Sequence, residues 1–365
     1  MKVVHITPTY FDSSSIIGGG ERYPTELASW MAKKVDTTFV SFGCERKSYY
    51  LDKLKIEVYP VKHFIHGSKV NPINFGYLGS MLKGNIVHIH NINTVVSDIG
   101  CLTSFLLGKR VFVTDHGGGG SLVLNQKLPI FKCYQGAIAQ SRFCLNLIPS
   151  ELQKKSVLIK GGVNTDKFCP DPSLGKHNKL LYVGRILPHK GINYLIEAFR
   201  LVNRPDYQLT IVGRIYNEEF YQDLKQMAEG LAVEFVHNAD EQRLLYEYRT
   251  AKVTVLPSVH KTCYGDYTRV PELMGFTLLE SQACGTPVIC TDAGAMHEFV
   301  DDGRTGFVVK QNCGEAIAAA LHQLIGLSPS EYSEYQTRCC QWIEPLSWST
   351  VVERHLDIYQ GKDVL

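Results

Sequence analysis

The sequence predicts an α/β protein made of two doubly wound, Rossmann-like domains of similar size. Short β-branched runs alternate with runs of helical period along nearly the whole chain. The alternation breaks at a polar, proline-containing stretch, 164–178, and restarts at 179. Glycines follow several of the strand-like runs, where the next helix is due to begin. A chain of 365 residues is long enough for two cores. The expected division is 1–163, with a final helix from 346–365 returning to it, then the linker, then 179–345.

Composition limits the classes. With 44% hydrophobic and 20% charged residues the chain reads as an ordinary globular protein without low-complexity tracts. The net charge of +2 conceals an asymmetry, because residues 1–165 hold 19 Lys and Arg against 10 Asp and Glu. The remainder is correspondingly acidic. The basic half is expected to meet an anionic partner or membrane surface, while lysines such as Lys33, Lys34, Lys53, Lys55, Lys62 and Lys69 are spread out, which speaks against a nucleic-acid arm. The 11 cysteines are odd in number and match neither a disulfide framework nor Cys-x-x-Cys zinc spacing. They read as thiols in a reducing compartment. The start, MKVVHITPTYF, enters a strand at once, and the apolar region 95–113 is broken by Asp98, Lys109 and Arg110. The expectation is a cytoplasmic chain with room for peripheral membrane contact.

In the first domain, strands are expected over 2–6, 37–42, 56–61, 86–89, 110–114, 138–141 and 157–159. Gly18-Gly19-Gly20-Glu21 follows the first strand and leads a helix over 22–34, on which Tyr23, Leu27, Trp30 and Met31 recur at helical spacing. Such glycines let the backbone approach an anion closely, but they do not form a GxGxxG fingerprint. A helix is expected over 95–107. His116 stands after the strand 110–114 and before four glycines, which leaves little side-chain packing to bury it.

In the second domain, strands are expected over 179–183, 209–212, 232–236, 252–256, 288–289 and 307–309. Helices are expected after Gly191 and over 221–227, 240–248 and 315–325. Gly184-Arg185 closes one strand, and Lys190-Gly191 leads the next helix. Arg185 and Lys190 then meet at a carboxyl edge beside a helix N-terminus, an arrangement suited to a diphosphate. In PELMGFTLLESQACGTPVI, residues 271–289, Glu272 and Glu280 lie eight positions apart. A continuous helix would hold them about 12 Å and roughly 80° apart. The expected geometry instead puts Glu272 in a loop, starts a helix near Thr277 and sets Glu280 in its first turn. The amides of Phe276, Thr277, Leu278 and Leu279 are then donors for an anion.

Together these pieces resemble a retaining, nucleotide-sugar-dependent glycosyltransferase of the GT-B class, family 4, over nearly the whole chain. The matching residues are Gly18-Gly19-Gly20-Glu21, His116, Gly162 with Val163, Asn164 and Phe168, and Gly184-Arg185 with Lys190-Gly191. To these add Pro257-Ser258, Glu272 with Glu280, Ala283 with Gly285-Thr286-Pro287-Val288, and Leu346-Ser347-Trp348. The resemblance implies two Rossmann-like domains facing a deep cleft. It implies that Arg185 and Lys190 neutralise the donor diphosphate, and that Glu272 receives sugar hydroxyls. It gives Phe276, Thr277, Leu278 and Leu279 the role of cradling sugar and phosphate through their amides, with Glu280 accepting from the ribose. Gly184 belongs to the same donor site, Gly19 and Gly20 lie over the donor phosphates, and His116 faces the sugar near its C6 hydroxyl.

The implied reaction moves a hexose-type sugar from a UDP- or GDP-sugar to a hydroxyl acceptor, with no metal required because two side-chain cations are supplied. Glycolipid, polysaccharide or glycoconjugate synthesis fits, with a lipid-linked or anionic acceptor. A soluble small-molecule or sucrose/glycogen-type enzyme is the alternative, and a non-catalytic nucleotide-sugar-binding protein is a rival of another class. An NAD-dependent dehydrogenase lacks its fingerprint here. The chain departs from the family pattern in 260–269, His260 to Arg269, longer than usual before Glu272 and expected to line the donor pocket. It departs again where Arg214-Ile215-Tyr216 follows Gly213, and at Asn238.

Overall fold

A computed structural model describes residues 1–10, 19–65, 71–117, 124 and 127–362. Gly18, Lys69 and the glycines at 118–120 lie outside the described residues. The chain divides into two compact units, Met1–Gly162 with the segment from Trp348 on, and Val163–Ser347.

The first unit holds β1 (Lys2–Tyr10), β2 (Asp36–Gly43), β3 (Lys47–Leu51), β4 (Leu54–Pro60), β5 (Ile86–His90), β6 (Arg110–Thr114), β7 (Gly136–Ala139) and β8 (Ser156–Leu158). They form one sheet in the order β3-β4-β2-β1-β5-β6-β7-β8. All neighbours run parallel except β3 and β4. Parallel strands are covered on both faces, and β5 and all but the first residue of β2 are accordingly buried. The unexpected strand, β3, is fully exposed along its length, so its sequence carries no alternation to read.

The second unit holds β9 (Lys179–Val183), β10 (Gln208–Val212), β11 (Val233–Val236), β12 (Val253–Leu256), β13 (Val288–Thr291) and β14 (Gly306–Val309). They are all parallel, in the order β11-β10-β9-β12-β13-β14. The helix Ile192–Val202 buries Leu195, Ile196, Phe199 and Val202 against this sheet. The stretch 164–178, expected as a linker, contributes Phe168, which is buried with its ring edge-on to Tyr248.

A helix without a counterpart in the sequence expectations, Pro329–Ile343, begins with a capping box formed by Ser328 and Glu331 and has Pro in its first turn. Ser-Pro-Ser-Glu is a legible start signal, so this helix was available to sequence reasoning. Its weakly apolar face hid it.

The terminal helix Trp348–Gln360 belongs to the first unit. Trp348, Val351, Val352 and Tyr359 are fully buried. The Trp348 indole donates to Glu26 at 2.5 Å, and its ring lies 5.0 Å from Tyr23 on the helix Gly19–Ala32. Removing such a side chain leaves a large cavity and takes from Glu26 one of its two partners among the described residues, the other being Arg22. Trp348→Ala is therefore expected to destabilise the first unit by about 3–5 kcal/mol. Urea unfolding followed by a probe in that unit checks this, and an unchanged midpoint would contradict the packing role.

Candidate functional site

Strand order reverses between β9 and β12 in the second sheet, and such a reversal opens a crevice beyond the carboxyl ends of the strands. The two loops at that point are Gly184-Arg185, after β9, and Pro257-Ser258, after β12. Gly191 joins them. It has φ of 65°, and a Cβ there would lie 2.0 Å from the Pro257 carbonyl oxygen. Only glycine lets the start of the helix Ile192–Val202 come this close. The contact carries Lys190 over the end of β12.

Lys190 is 7% exposed and its ammonium donates to Glu272 at 2.5 Å. The Ser258 hydroxyl donates to the same carboxylate oxygen at 3.0 Å. The loop carrying Glu272 is held from behind by Gly294, which has φ of 60°. A Cβ at Gly294 would meet the Glu272 carbonyl oxygen at 2.4 Å. The next amide, Ala295, donates to that carbonyl at 3.1 Å. Arg185 is exposed, with its guanidinium 5.5 Å from the Tyr216 ring centre. It forms no ion pair among the described residues. His189, between the two cations, has its pKa lowered to about 4 by burial first and by Lys190 second.

The helix carrying Glu280 runs Phe276–Ala283, starting one residue earlier than expected, with left-handed Gly275 as its cap. Thr277 pins it to the sheet by donating its hydroxyl to the Val183 carbonyl, the last of β9, at 3.0 Å. The Leu278 amide turns back to the Gly275 carbonyl at 3.0 Å, so it is not the open donor expected. The Thr277 amide has no acceptor among the described residues. Glu280 sits on the second turn rather than the first. It is 2% exposed and accepts from the Tyr248 hydroxyl at 2.9 Å.

The long segment 260–269 is an ordered hairpin rather than an open loop. Lys261 and Tyr267 form an antiparallel bridge, and the Thr262 amide donates to the Asp266 carbonyl at 2.8 Å. Its base is tied to the Glu272 region, because His260 accepts from the Gly294 amide at 3.2 Å and donates to the Thr268 carbonyl at 2.9 Å. Tyr267 stacks on His260 with ring centres 5.7 Å apart. Sequence reasoning named Ser258 only within the Pro257-Ser258 motif, without a role, and passed over His189, Tyr248 and Gly294. The Pro-Ser pair and the glycine after Asp292 were the available signals.

In the first unit the structure corrects the expectation for His116. It is 6% exposed, with both ring nitrogens engaged. The Gln140 amide nitrogen donates to His116 Nδ1 at 3.0 Å. That leaves the proton on Nε2, which donates to His90 Nδ1 at 3.0 Å. His90 Nε2 donates in turn to His5 Nδ1 at 3.0 Å, and His5 Nε2 faces the Met31 sulfur at 3.3 Å. The chain of neutral imidazoles thus runs one way. Its packing comes from β1 and β5, which a scan for residues after strand ends does not reveal. Gly20 is next to it, a Cβ there falling 3.8 Å from that of His116. Gly19 and Gly20 form the first turn of the helix Gly19–Ala32 rather than a loop.

Among the described residues, His5, His88 and His90 form the set with ligand atoms mutually near enough for a metal, within 4.8 Å. Their ring nitrogens already serve this chain and, for His88, Tyr359 and Thr114. The set therefore reads as a hydrogen-bonded core.

Comparison with known proteins gives three kinds of similarity. The family model described as Glycosyl transferases group 1 matches residues 166–338. A GDP-mannose-dependent alpha-(1-6)-phosphatidylinositol monomannoside mannosyltransferase of Mycolicibacterium smegmatis is 29% identical over 61% of this chain. That match spans only 60% of the mannosyltransferase's own length. An alpha-maltose-1-phosphate synthase of the same organism is 30% identical over 99% of both chains. A glycosyltransferase structure from Rickettsia africae ESF-5 is 18% identical, with a TM-score of 0.75 over 99% of this chain and 98% of that one, a likeness of fold.

The buried imidazoles generate a prediction for acid stability. Burial lowers the pKa of His5 and His116 to about 3 and of His355 to about 4, and holds His88 and His90 well below the ordinary value. Below pH 6.5 the unfolded chain binds protons that the folded unit refuses, so their stabilising contribution is full above that pH and is lost as pH falls toward 3–4. The melting temperature of the first unit should fall steadily from pH 6.5 to 4.5, with uptake of more than one proton on unfolding. A flat profile would show that these rings are not buried neutral.

Proposed function

We propose that this chain, which belongs to the glycosyl transferases group 1 family, transfers a hexose-type sugar from a nucleoside-diphosphate sugar to a hydroxyl acceptor with retention at the anomeric carbon. The observation that carries the reading is the Lys190–Glu272 pair at 2.5 Å, held at the strand-order reversal beside Arg185. A cation and a carboxylate fixed side by side suit a ligand that bears a diphosphate next to a polyol.

In this reading Arg185, Lys190 and the Thr277 amide receive the charge that develops on the leaving diphosphate. Fixed donors aimed at developing charge need no reorganisation during the reaction, which is the main source of rate. Glu272, with Ser258 beside it, accepts from the sugar hydroxyls, and Glu280 accepts from the ribose. The acceptor oxygen attacks the anomeric carbon on the face the diphosphate leaves. Its proton passes to the departing phosphate oxygen, so no protein nucleophile is needed. For His116, with both ring nitrogens engaged, the proposed contact to the sugar is through its carbonyl, which accepts nothing among the described residues. The hairpin 260–269, tied through His260 to the Gly294 turn, is proposed to select the donor.

The mannosyltransferase relative, named for GDP-mannose and a phosphatidylinositol mannoside, supports a lipid-linked acceptor. The excess of basic residues before 165 supports contact with an anionic membrane. A second reading has its own support. The relative matched over 99% of both chains is named for a sugar phosphate product, which needs no membrane.

A thermal-shift screen of UDP-, GDP- and ADP-sugars should find one donor that raises the melting temperature. Lys190→Ala and Glu280→Ala are then expected to weaken that donor by about tenfold or more. Glu272→Ala should lower transfer far more than it weakens the free nucleotide. Equal donor affinity in all three variants would overturn the assignment. Transfer to a lipid-linked rather than a phosphorylated sugar acceptor separates the two readings.

A further inference from the structure

The geometry points to a docking surface for an anionic lipid bilayer at the amino edge of the first unit's sheet, where a cationic hollow lies beside an apolar lip. The inference rests on the membrane contact proposed above and assigns it a place. The hollow, of about 550 Å³, is lined by Lys109, Arg110, Lys132, Lys154 and Lys155, with Phe105 at its rim. These residues come from the turns that lead into β6, β7 and β8.

None of the five cations is ion-paired among the described residues, although Lys2, Lys34, Lys47, Lys55 and Lys83 of the same unit all are. Two of the five are held in place by carbonyl oxygens instead. Lys109 donates to Leu82 at 3.4 Å, and Lys155 donates to Lys132 and Tyr134 at 3.3 and 3.1 Å. The helices beside the hollow supply two carboxylates. Asp98 is buried at the far end of Val95–Leu106, and Glu151 accepts from Ser150. Five positive charges therefore converge without local compensation, and a surface of phosphodiesters supplies the missing anions.

The lip tells the bilayer from a soluble anion. Val95–Leu106 buries Val96, Gly100 and Cys101 and then ends in exposed Phe105 and Leu106, with exposed Leu107 just beyond. Leu106 is 75% and Phe105 53% exposed, and Leu82, whose carbonyl receives Lys109, is 60% exposed. An apolar tip set among cations fits the headgroup–acyl boundary, where both parts are satisfied together. A free phosphate would use only the cations. The opposite edge of the same sheet carries His116 after β6, about 16 Å away along five residues of strand. The surface thus anchors the chain without occupying that edge.

The test is flotation of the full chain with phosphatidylcholine vesicles and with vesicles that also contain phosphatidylglycerol, at low and high salt. Binding is expected only to the anionic vesicles and is expected to be lost at high salt. Leu106→Glu should weaken it by about tenfold, and Lys109→Glu with Arg110→Glu and Lys154→Glu by on the order of a hundredfold. Lys62→Glu, just after β4 at the opposite, carboxyl edge of the sheet, should leave it unchanged, and thermal shift by the donor should be the same in every variant. Anionic binding that survives both patch variants would overturn this surface while leaving the membrane contact standing. Absence of binding to anionic vesicles would overturn both. Equal binding to neutral vesicles would remove the cationic hollow from the account. Loss of the donor's thermal shift in the unaltered chain would count against the enzymatic reading alone.

Discussion

The constraint on which the candidate site depends is the reversal of strand order in a parallel sheet. Each crossover returns the chain to the same edge, so every strand of the second unit delivers its following loop to one side. Between β9 and β12 the loops that follow the two strands lead away in opposite directions, to β10 on one side and β13 on the other. That single topological fact sets Gly184-Arg185 opposite Pro257-Ser258. It also explains why the helix Phe276–Ala283, which follows β12, can hydrogen-bond its first turn to the end of β9.

What the topology brings near, two glycines bring into contact. At Gly191 and Gly294 backbone meets backbone at distances that exclude a Cβ, and both have positive φ. The first seats Lys190 and the second seats Glu272, and the two side chains then pair. A pair this far removed from water gains little net stability, since the desolvation of two ions roughly cancels their attraction. Its physical sense lies elsewhere. Each partner orients the other, so that in the proposed reading an incoming phosphate and polyol meet groups already in place. In that reading low net stabilisation is an advantage, because the pair would share its hydrogen bonds with the ligand.

The legible parts of the sequence were those whose physics is local. Strand ends followed by glycine, the break at Gly285-Thr286-Pro287, and the apolar period of Ile192–Val202 are written in neighbouring residues, and the two sheets follow from them. Arg185, Lys190 and Glu272 were readable as types at the right kind of loop. Their pairing was not, since Lys190 and Glu272 are 82 positions apart and are brought together by the close approaches of Gly191 to Pro257 and of Gly294 to Glu272. The exposed strand β3 carried no period at all. The segment 260–269 was legible only as added length, because part of its order comes from His260, whose partner Gly294 lies far along the chain.

His116 shows the limit most sharply. Its neighbours in sequence, an apolar strand and then glycines, argue for an exposed ring. Its neighbours in space are His90 and Gln140, brought by β5 and by the residue after β7. Because Gln140 can present its amide nitrogen to Nδ1, the proton on His116 is fixed at Nε2, and the same polarity passes through His90 to His5. A reversed chain would end with His5 Nε2 offering a lone pair to a thioether that has no proton to give. Met31 at one end and Gln140 at the other therefore hold the direction together. An imidazole locked in this way neither takes up a proton nor turns toward a ligand. What it contributes is a rigid backbone at the carboxyl end of β6, and with it a fixed place for the carbonyl of His116, the atom to which the proposed function gives the sugar contact.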